Sequence, residues 1–461
     1  MKKLIKIIVL VSTLSPIFSC TEKNIDAEKP GKNEGQEPTT NCIQSQSKGP
    51  IKLNLQAITT TTATFDSVLD VEQMSNYQEV GFIYSTINEM DIEASHITKI
   101  KISKNIASTT LTHLLRETQY YYTVYLQKNG VYLYGDTQSF TTPFDGNLSV
   151  EEPANCYIIN RSGEYRFQTT KGNSNEVVGN VSSAAVIWES FGTETTPSIG
   201  DLIKGCSYKD GFIYFETAAT FKEGNALIAA KDADDNILWS WHIWLTDQPQ
   251  DQVYYNDAGI VMDRNLGATS ASIGDIGALG LLYQWGRKDP FLINNVMIKT
   301  SSTTTWYSED STEGTSINMS ISHPTTSINN WTPTENSWTT LNTFKSIYDP
   351  CPTGYRIPDN IWHKATKEEK FNYTFDDSNK GMNFSLKFGK DLIIWYPATF
   401  KSINTYEYED NYIGNYWFAS SAYSCNSFRF GEWYEDGSWK RRAELTTSEA
   451  NSRKSVRCIR E

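Results

Sequence analysis

Residues 119–134 read QYYYTVYLQKNGVYLY, and this stretch decides the fold of the first part of the chain. Its two ends are rich in aromatic and β-branched residues, which favour strands. Asn129-Gly130 lies between them, and this dipeptide is a strong short-range signal for a hairpin turn. Outward from it, similar strand-like runs recur at a spacing of about ten residues. The pattern predicts an antiparallel β-sandwich over residues 50–143.

The composition limits the class of protein. The chain has 461 residues, of which 39% are hydrophobic and 21% are charged. These values exclude a fully disordered or collagen-like protein. At roughly 100–200 residues per domain, we expect two to four domains. The net charge is −13 and no long basic run occurs, which argues against nucleic acid as a partner.

The N-terminus has the features of an export address. Three lysines precede an apolar stretch at residues 7–18, and Ser19-Cys20 follows it. The stretch is too short to cross a membrane readily as a helix. A small residue directly before a cysteine resembles the lipobox of bacterial lipoproteins. The resemblance implies that residues 1–19 are a signal peptide and that Cys20 receives a lipid, which makes the membrane a partner. An ordinary secretory signal is the alternative.

The segment after Cys20 predicts a tether. Residues 20–49 are polar, with scattered Pro and Gly, and contain almost no apolar side chains, so that they cannot bury enough surface to offset ordering. Glu22 and Asp26 resemble the acidic export signal of surface-exposed lipoproteins in Bacteroides-type bacteria. This resemblance implies a location at the cell surface, on the outer membrane. The periplasmic face is the alternative.

The first sandwich carries a second resemblance. Leu114, Thr118 and Tyr120 match a Leu-x-x-x-Thr-x-Tyr corner, and the region resembles a fibronectin type III-like domain. The resemblance implies that the hydroxyl of Tyr120 is hydrogen-bonded to the backbone at a crossing between sheets. The region has no acid–base pair, metal-ligand spacing or nucleophile context, so we expect a spacer. An unrelated sandwich remains the alternative.

Residues 147–246 predict a second β-sandwich domain. In the run at residues 237–244, Trp239 and Trp241 share one face of a strand, and His242 lies on the other. Two Trp on one face indicate either core or a platform for sugar, and the apolar flanks favour core. His242 fits a hydrogen-bonded structural residue better than a catalyst. The Asp-rich segment at 232–236 lacks the EF-hand pattern and favours a polar hairpin turn over a calcium site.

Five ordered motifs mark residues 258–461. They are MDRNLGA at 262–268, GLLYQWGRKDPF at 280–291, YDPCPTGYRIP at 348–358, YWFASS at 416–421 and SVRCIR at 455–460. In this order they resemble the Fibrobacter succinogenes major paralogous (FISUMP) domain of surface lipoproteins. The resemblance implies an α+β, loop-rich domain with a C-type lectin-like fold. The chain is thus expected to be multidomain and mainly β, with two N-terminal sandwiches before this domain.

Cysteine pairing follows only from the resemblance. Without Cys20, six cysteines allow 15 complete pairings, and the residues alone do not choose among them. Cys351 and Cys458 both lie in family motifs, which implies a disulfide that closes a loop of about 100 residues, worth roughly 4–5 kcal/mol. Cys156–Cys206 is a weaker expectation. The chain has no CxxC or Cys/His cluster, so we expect neither a zinc site nor another metal or cofactor.

A polar insertion at residues 300–343 is the expected binding region. Trp306, Tyr307, Trp331 and Trp338 are scattered through sequence rich in Thr, Ser and Asn. Long polar insertions on packed scaffolds often carry binding function, and aromatic side chains stack on sugar faces or anchor protein partners. The alternative is that these aromatic residues hold the loop against its own domain.

These features favour a binding protein over an enzyme. The chain has only five histidines, all far apart in sequence, and no nucleophile lies in an evident catalytic context. We expect a lipid-anchored surface adhesin or glycan-binding protein, with the sandwiches as a stalk and the C-terminal domain binding a glycan or an extracellular protein. The alternative is a subunit or accessory component of a surface filament. The first arginine, Arg116, lies inside the strand pattern, which argues against filament assembly by arginine cleavage.

Overall fold

Strands dominate the computed structural model of the chain. The predicted signal peptide at 1–19, the predicted lipidation site Cys20 and the predicted tether at 20–49 lie outside the described residues. All described residues belong to one compact unit, 44–461. The residues that the structure describes are 51–94, 96–102, 108–112, 114–143, 146, 148, 153–254, 258–293, 299–301, 304–309, 317–333, 337–339, 345–359, 361–362, 373–385, 393–401, 412–419, 425–435 and 438–461.

The first region folds as two facing sheets. One has the strand order β1-β2-β5, and the other has the order β4-β3-β6-β7, with β8 also paired to β6. Asn129 and Gly130 join β6 to β7 with φ angles of 52° and 78°, which confirms the predicted hairpin turn. The elements are β1 (Ile51–Ile58), β2 (Ala63–Leu69), α1 (Val71–Met74), β3 (Glu79–Ser85), β4 (Thr98–Lys101), β5 (Ser108–Leu111), β6 (Gln119–Lys128), β7 (Val131–Tyr134) and β8 (Gln138–Thr141).

The predicted tyrosine corner is confirmed. The backbone N–H of Leu115 donates to the hydroxyl of Tyr120 at 2.8 Å. Leu114 points into the core of the first region, whereas Leu115 packs into a different cluster that contains residues of the later regions. The guanidinium of Arg116 donates to the carbonyl of Ile158. The corner therefore docks the first region onto the rest of the molecule.

The second region also has two sheets, with the orders β10-β13-β12 and β11-β14-β15-β9. β9 runs parallel to β15, and the other pairs are antiparallel. Its strands are β9 (Cys156–Ile159), β10 (Glu164–Gln168), β11 (Ser183–Ser190), β12 (Ile203–Lys209), β13 (Phe212–Thr217), β14 (Gly224–Lys231) and β15 (Ile237–Leu245).

In the four-stranded sheet of this region, β15 is buried on both faces. Trp239 and Trp241 on β15 pack into the interior of the sandwich, as the core interpretation expected. Trp244, on the opposite face, packs into a cluster shared with the C-terminal region. A strand covered on both sides is apolar along its whole length, which accounts for the apolar run at 237–245. The second region is thus joined to the C-terminal region by a common core and is not a separate stalk segment.

The C-terminal region contains several small sheets. Their orders are β16-β17-β30-β21, β18-β29-β26-β27-β28 with β25 on β26, β22-β23-β24, and the parallel pair β19-β20. The elements are β16 (Asp251–Val253), β17 (Ile260–Met262), a 3-10 helix (Ile276–Leu279), β18 (Leu282–Gln284), β19 (Tyr307–Glu309), α2 (Ile317–Ser322), β20 (Thr326–Ile328), β21 (Tyr355–Arg356), β22 (Tyr373–Asp376), β23 (Gly381–Ser385), β24 (Ile393–Pro397), β25 (Phe400–Lys401), β26 (Tyr412–Trp417), β27 (Cys425–Glu435), β28 (Ser438–Ser448), β29 (Arg453–Ser455) and β30 (Ile459–Arg460).

One of the two expected disulfides is present. Cys351 and Cys458 are bonded across 107 residues of sequence. The pairing of Cys156 with Cys206 is wrong, because both are free. Cys156 on β9 faces the core shared with the C-terminal region, whereas Cys206, on a strand of the other sheet, packs against the interior of the sandwich. Successive residues of a strand face opposite sides, so β9 directs Cys156 away from Cys206.

The mainly β prediction is confirmed for the described part of the chain, where helices are few and short. Within that part, none of the helices combines the length and apolar character that crossing a membrane requires.

Candidate functional site

The four aromatic residues expected to bind ligand lie in different environments. Trp338 is fully buried and Trp331 is only 3% exposed. Trp306 is partly buried against the core, and Tyr307 is 52% exposed. Buried indoles have no free face for a sugar ring, so the structure contradicts a stacking role for Trp331 and Trp338. For these two residues the alternative applies, namely that they hold the loop against its own domain.

The indole N–H groups explain this anchoring. Trp331 donates to the carbonyl of Trp285 at 2.7 Å, and Trp338 donates to that of Arg287 at 3.0 Å. Trp417 donates in the same way to Tyr283 at 2.7 Å. Alternate carbonyls along residues 283–287 thus each accept an indole N–H. A buried indole N–H usually finds such a partner, and here the backbone of the motif at 280–291 supplies it.

A polar groove in the C-terminal region is the candidate site, and we call it the C-terminal groove. Its volume is about 560 Å³, which is within the range typical of ligand sites. No carboxylate side chain is among the described residues that line it. The lining residues are Ser308, Ser327, Asn329, Ile413, Asn415, Arg429, Thr446, Thr447, Ser448, Asn451, Ser452, Arg453 and Lys454.

Strand alternation builds the floor of the groove. On β27, Phe428 and Phe430 point into an aromatic core, and Arg429 between them points to the opposite face. Asn415 on β26 lies directly opposite Arg429 in the ladder. The floor is therefore a polar outer face of a sheet whose inner face is apolar, and the packed inner face holds the polar side chains in place.

The polar insertion forms one wall of the groove. Ser308 donates to the side-chain carbonyl of Asn329 at 2.8 Å, and the amide of Asn451 donates to the backbone carbonyl of Asn329. Gln284 bridges the two sides, because its amide donates to the carbonyls of Ile328 and Asn451 at 2.9 and 2.8 Å. These contacts fasten the insertion to the turn between β28 and β29.

Arg287 also anchors the polar insertion, through hydrogen bonds to its backbone. Its guanidinium donates to the carbonyl of Thr326 at 2.7 Å, to those of Ser320 and His323 at 3.2 and 3.3 Å, and to the side-chain carbonyl of Gln284 at 2.9 Å. Burial lowers the pKa of Arg287 to about 10, and nearby Asp289 opposes this effect. The side chain is therefore cationic at neutral pH and acts as a structural anchor.

Three cations give the groove a positive character. Arg429 is paired with Glu444. Lys454 is buried, donates to the hydroxyls of Ser427 and Ser448, and lies 4.6 Å from the centre of the Trp417 ring. Desolvation lowers the pKa of Arg453, but a guanidinium remains charged at neutral pH. The groove is locally positive in a chain whose net charge is −13.

Two lining side chains have unused hydrogen-bonding capacity. Among the described residues, Asn415 has no side-chain hydrogen-bond partner and Arg453 has no carboxylate partner. Sequence reasoning missed both, because they lie in separate strands more than thirty residues from the insertion. For Asn415 the available signal was the alternation of polar and apolar residues along β26, whereas β29, which carries Arg453, is too short to show such a pattern.

A second cavity, of about 710 Å³, lies between the first region and the C-terminal region. Its carboxylate Asp251 forms an ion pair with Arg460 at 2.8 Å. Asp251 also accepts hydrogen bonds from the hydroxyls of Thr86 at 2.7 Å and Tyr355 at 2.8 Å. Because these polar groups are paired with one another, we interpret the cavity as a junction between regions. We therefore take the C-terminal groove as the candidate functional site. No cluster of metal-ligating side chains occurs in the described part of the chain.

Comparison with known proteins found similarity to solved structures alone. No protein-family model matches it, and no curated protein matches it. A fibronectin type III domain of human collagen XX is 15% identical, with 23% of this chain and 100% of that chain covered and a TM-score of 0.17. A fibronectin type III domain of human contactin 1 is 17% identical, with 25% and 96% covered and a TM-score of 0.19. A two-domain fibronectin type III segment of chicken tenascin is 12% identical, with 42% and 97% covered and a TM-score of 0.18. These three solved structures are all fibronectin type III domains or segments.

Proposed function

We propose that this protein is a carbohydrate-binding protein of the bacterial cell surface and that the C-terminal groove is its binding site. The observation that carries the proposal is the composition of the groove, which is lined almost entirely by hydroxyl, amide and cationic side chains. The polar insertion contributes to this site, although through Ser308, Ser327 and Asn329 and not through its buried Trp residues.

A sugar fits this lining because of its hydrogen-bonding pattern. Each sugar hydroxyl both donates and accepts, and so do Ser, Thr and Asn side chains. The free amide of Asn415 offers two donors and one acceptor at the floor of the groove. An apolar ligand would leave these groups unpaired, which costs binding free energy. The groove therefore favours a polyhydroxylated ligand.

The rest of the proposal comes from the sequence motifs. We propose that Cys20 is lipid-modified, that residues 20–49 tether the protein to the outer membrane at the cell surface, and that the protein is not an enzyme. The C-type lectin-like fold and the FISUMP resemblance of residues 258–461 remain predictions. In this proposal the second and C-terminal regions act together as the binding head, because they share a core.

A glycan array tests the proposal. The purified wild-type protein is expected to bind one class of glycan saturably. In Asn415→Ala the affinity for that class should fall about tenfold, as expected when a buried hydrogen-bonding partner is lost. The matched control is Asn54→Ala, which removes a partly exposed Asn from β1, far from the groove. Absence of glycan binding by folded wild-type protein, or equal binding by Asn415→Ala, would reject the proposal.

The filament alternative receives no support from the groove. Arg116, the first arginine of the chain, is 8% exposed and its guanidinium contacts the backbone of the second region. A protease that cuts after an arginine would have to unfold the corner to reach it. We therefore expect the protein to be absent from purified filaments, and mass spectrometry of such filaments checks this.

A further inference from the structure

We propose that the C-terminal groove selects carbohydrates that carry an acidic group, a carboxylate or a sulfate, and that Arg453 binds this group. The inference rests on the proposed function and specifies its ligand class. It follows from three cations and no carboxylate among the described lining residues, in a protein that has 54 acidic residues against 41 Lys and Arg. A locally positive groove attracts anions even though the chain as a whole is acidic.

The three cations differ in how fully their charges are already paired within the protein. Arg429 is neutralised by Glu444 through two guanidinium contacts. Lys454 is buried beneath the groove and has serine hydroxyls as acceptors. Arg453 is exposed at the start of β29 and lies beside the ring of Phe291, at 5.9 Å from its centre. Its guanidinium has no carboxylate partner among the described residues, so it is the cation most available to a ligand.

The chemistry of arginine defines the ligand. Its planar guanidinium presents parallel N–H groups that match the two oxygens of a carboxylate or a sulfate. The neighbouring Asn415 and the hydroxyls of β28 supply contacts for the uncharged part of the sugar. The ammonium of Lys454 beneath the floor adds a positive field that favours the same anion. A uronic or sialic acid and a sulfated sugar share this chemistry.

Two matched pairs of oligosaccharides test the inference and separate the two anions. The carboxylate pair is a hyaluronan oligomer and the same oligomer with its carboxyl groups reduced. The sulfate pair is a keratan sulfate oligomer and its desulfated form. Wild-type protein should bind the acidic member of at least one pair about tenfold more tightly than the neutral member. Added salt should weaken only the binding of the acidic member.

The variant Arg453→Ala should remove this preference, so that the acidic and neutral members of each pair bind with similar affinity. Arg166→Ala is the matched control, because Arg166 is an exposed arginine that lies 5.3 Å from the centre of the Phe212 ring, outside the groove. It should keep the preference.

Two results would overturn the inference. One is equal affinity of wild-type protein for both members of each pair, and the other is a preference that survives Arg453→Ala. If neutral oligosaccharides still bind and Asn415→Ala weakens them, only the inference fails and the proposed function stands. If the wild-type protein binds no oligosaccharide of either kind, both are rejected.

Discussion

At the scale of single residues, His242 shows how a buried polar side chain is specified. The amide of Asn225 donates to the carbonyl of Gly267 at 2.9 Å, which leaves its oxygen as an acceptor. His242 therefore donates from Nε2 to that oxygen at 2.8 Å, and its Nδ1 carries no proton. Burial lowers the pKa of His242 to about 3. The residue is thus neutral and structural, as its position in an apolar strand indicated.

This histidine makes the fold sensitive to acid. The unfolded chain takes up a proton near pH 6.5, whereas the folded chain does not do so until about pH 3. The stability that depends on neutral His242 is therefore complete above pH 6.5 and is lost as the pH falls. His242→Gln keeps an N–H donor for Asn225. Compared with this variant, wild-type protein should lose about 1.4 kcal/mol of unfolding free energy per pH unit below 6.5.

Urea unfolding of both proteins between pH 7 and about pH 4 measures this difference. The control is His323→Gln, which changes an exposed histidine and should keep the acid sensitivity of the wild type. Asp349, whose pKa burial raises to about 6, stabilises the fold on acidification, but it is present in every protein compared and cancels. Parallel curves for wild type and His242→Gln would show that His242 is not the responsible group.

At the scale of elements, the groove depends on a short segment that is not part of its lining. Residues 283–287 accept three indole N–H groups and place Gln284 and Arg287 beneath the insertion. The segment is buried, so its contacts are made without competition from water. It defines where the wall of the groove lies, and this is a physical role for the motif at 280–291.

Replacing Arg287 by Lys should loosen the wall of the groove. A lysine has three donors on one nitrogen and cannot reach acceptors on both branches of the guanidinium fork. Each buried carbonyl left unpaired costs about 1–3 kcal/mol. Hydrogen exchange of the amides of Thr326–Ile328 should therefore become faster. Arg356→Lys is the control, because Arg356 also donates to a carbonyl but lies outside the groove. Unchanged protection in Arg287→Lys would contradict the anchoring role.

Sequence patterns predicted elements better than sites. The hairpin of β6 and β7 and the tyrosine corner were predictable because turn chemistry and corner geometry are local. Trp331 and Trp338 were misleading, because their sequence neighbours are polar whereas their contacts are with residues 285–287. The groove itself is lined by side chains from β26, β27, β28, β29, the turn before β29 and the insertion. No local sequence pattern predicts that these side chains lie close together, because their proximity depends on how the strands pair.

At the scale of the whole molecule, the sequence suggested separate units, whereas the structure packs them together. The residues that join them have roles that local sequence patterns do not predict. Leu115 packs into the core shared by the second and C-terminal regions. A Cβ on Gly354 would lie 2.8 Å from its side chain, so the glycine makes room for it. Thr86 of the first region donates to Asp251 of the C-terminal region. The first region is therefore docked against the second and C-terminal regions.

This docking predicts a variant that changes shape without unfolding. Leu115→Asp places a charge in the shared apolar cluster, which is unfavourable, whereas the core of the first region does not contain Leu115. The first region should detach, so that the radius of gyration in small-angle X-ray scattering increases and circular dichroism is retained. Val68→Asp is the control, since Val68 is 60% exposed on β2. If Leu115→Asp keeps the dimensions of the wild type, the corner does not dock the first region. If the variant expands, the groove should still bind its glycan, because no residue of the first region lines the groove.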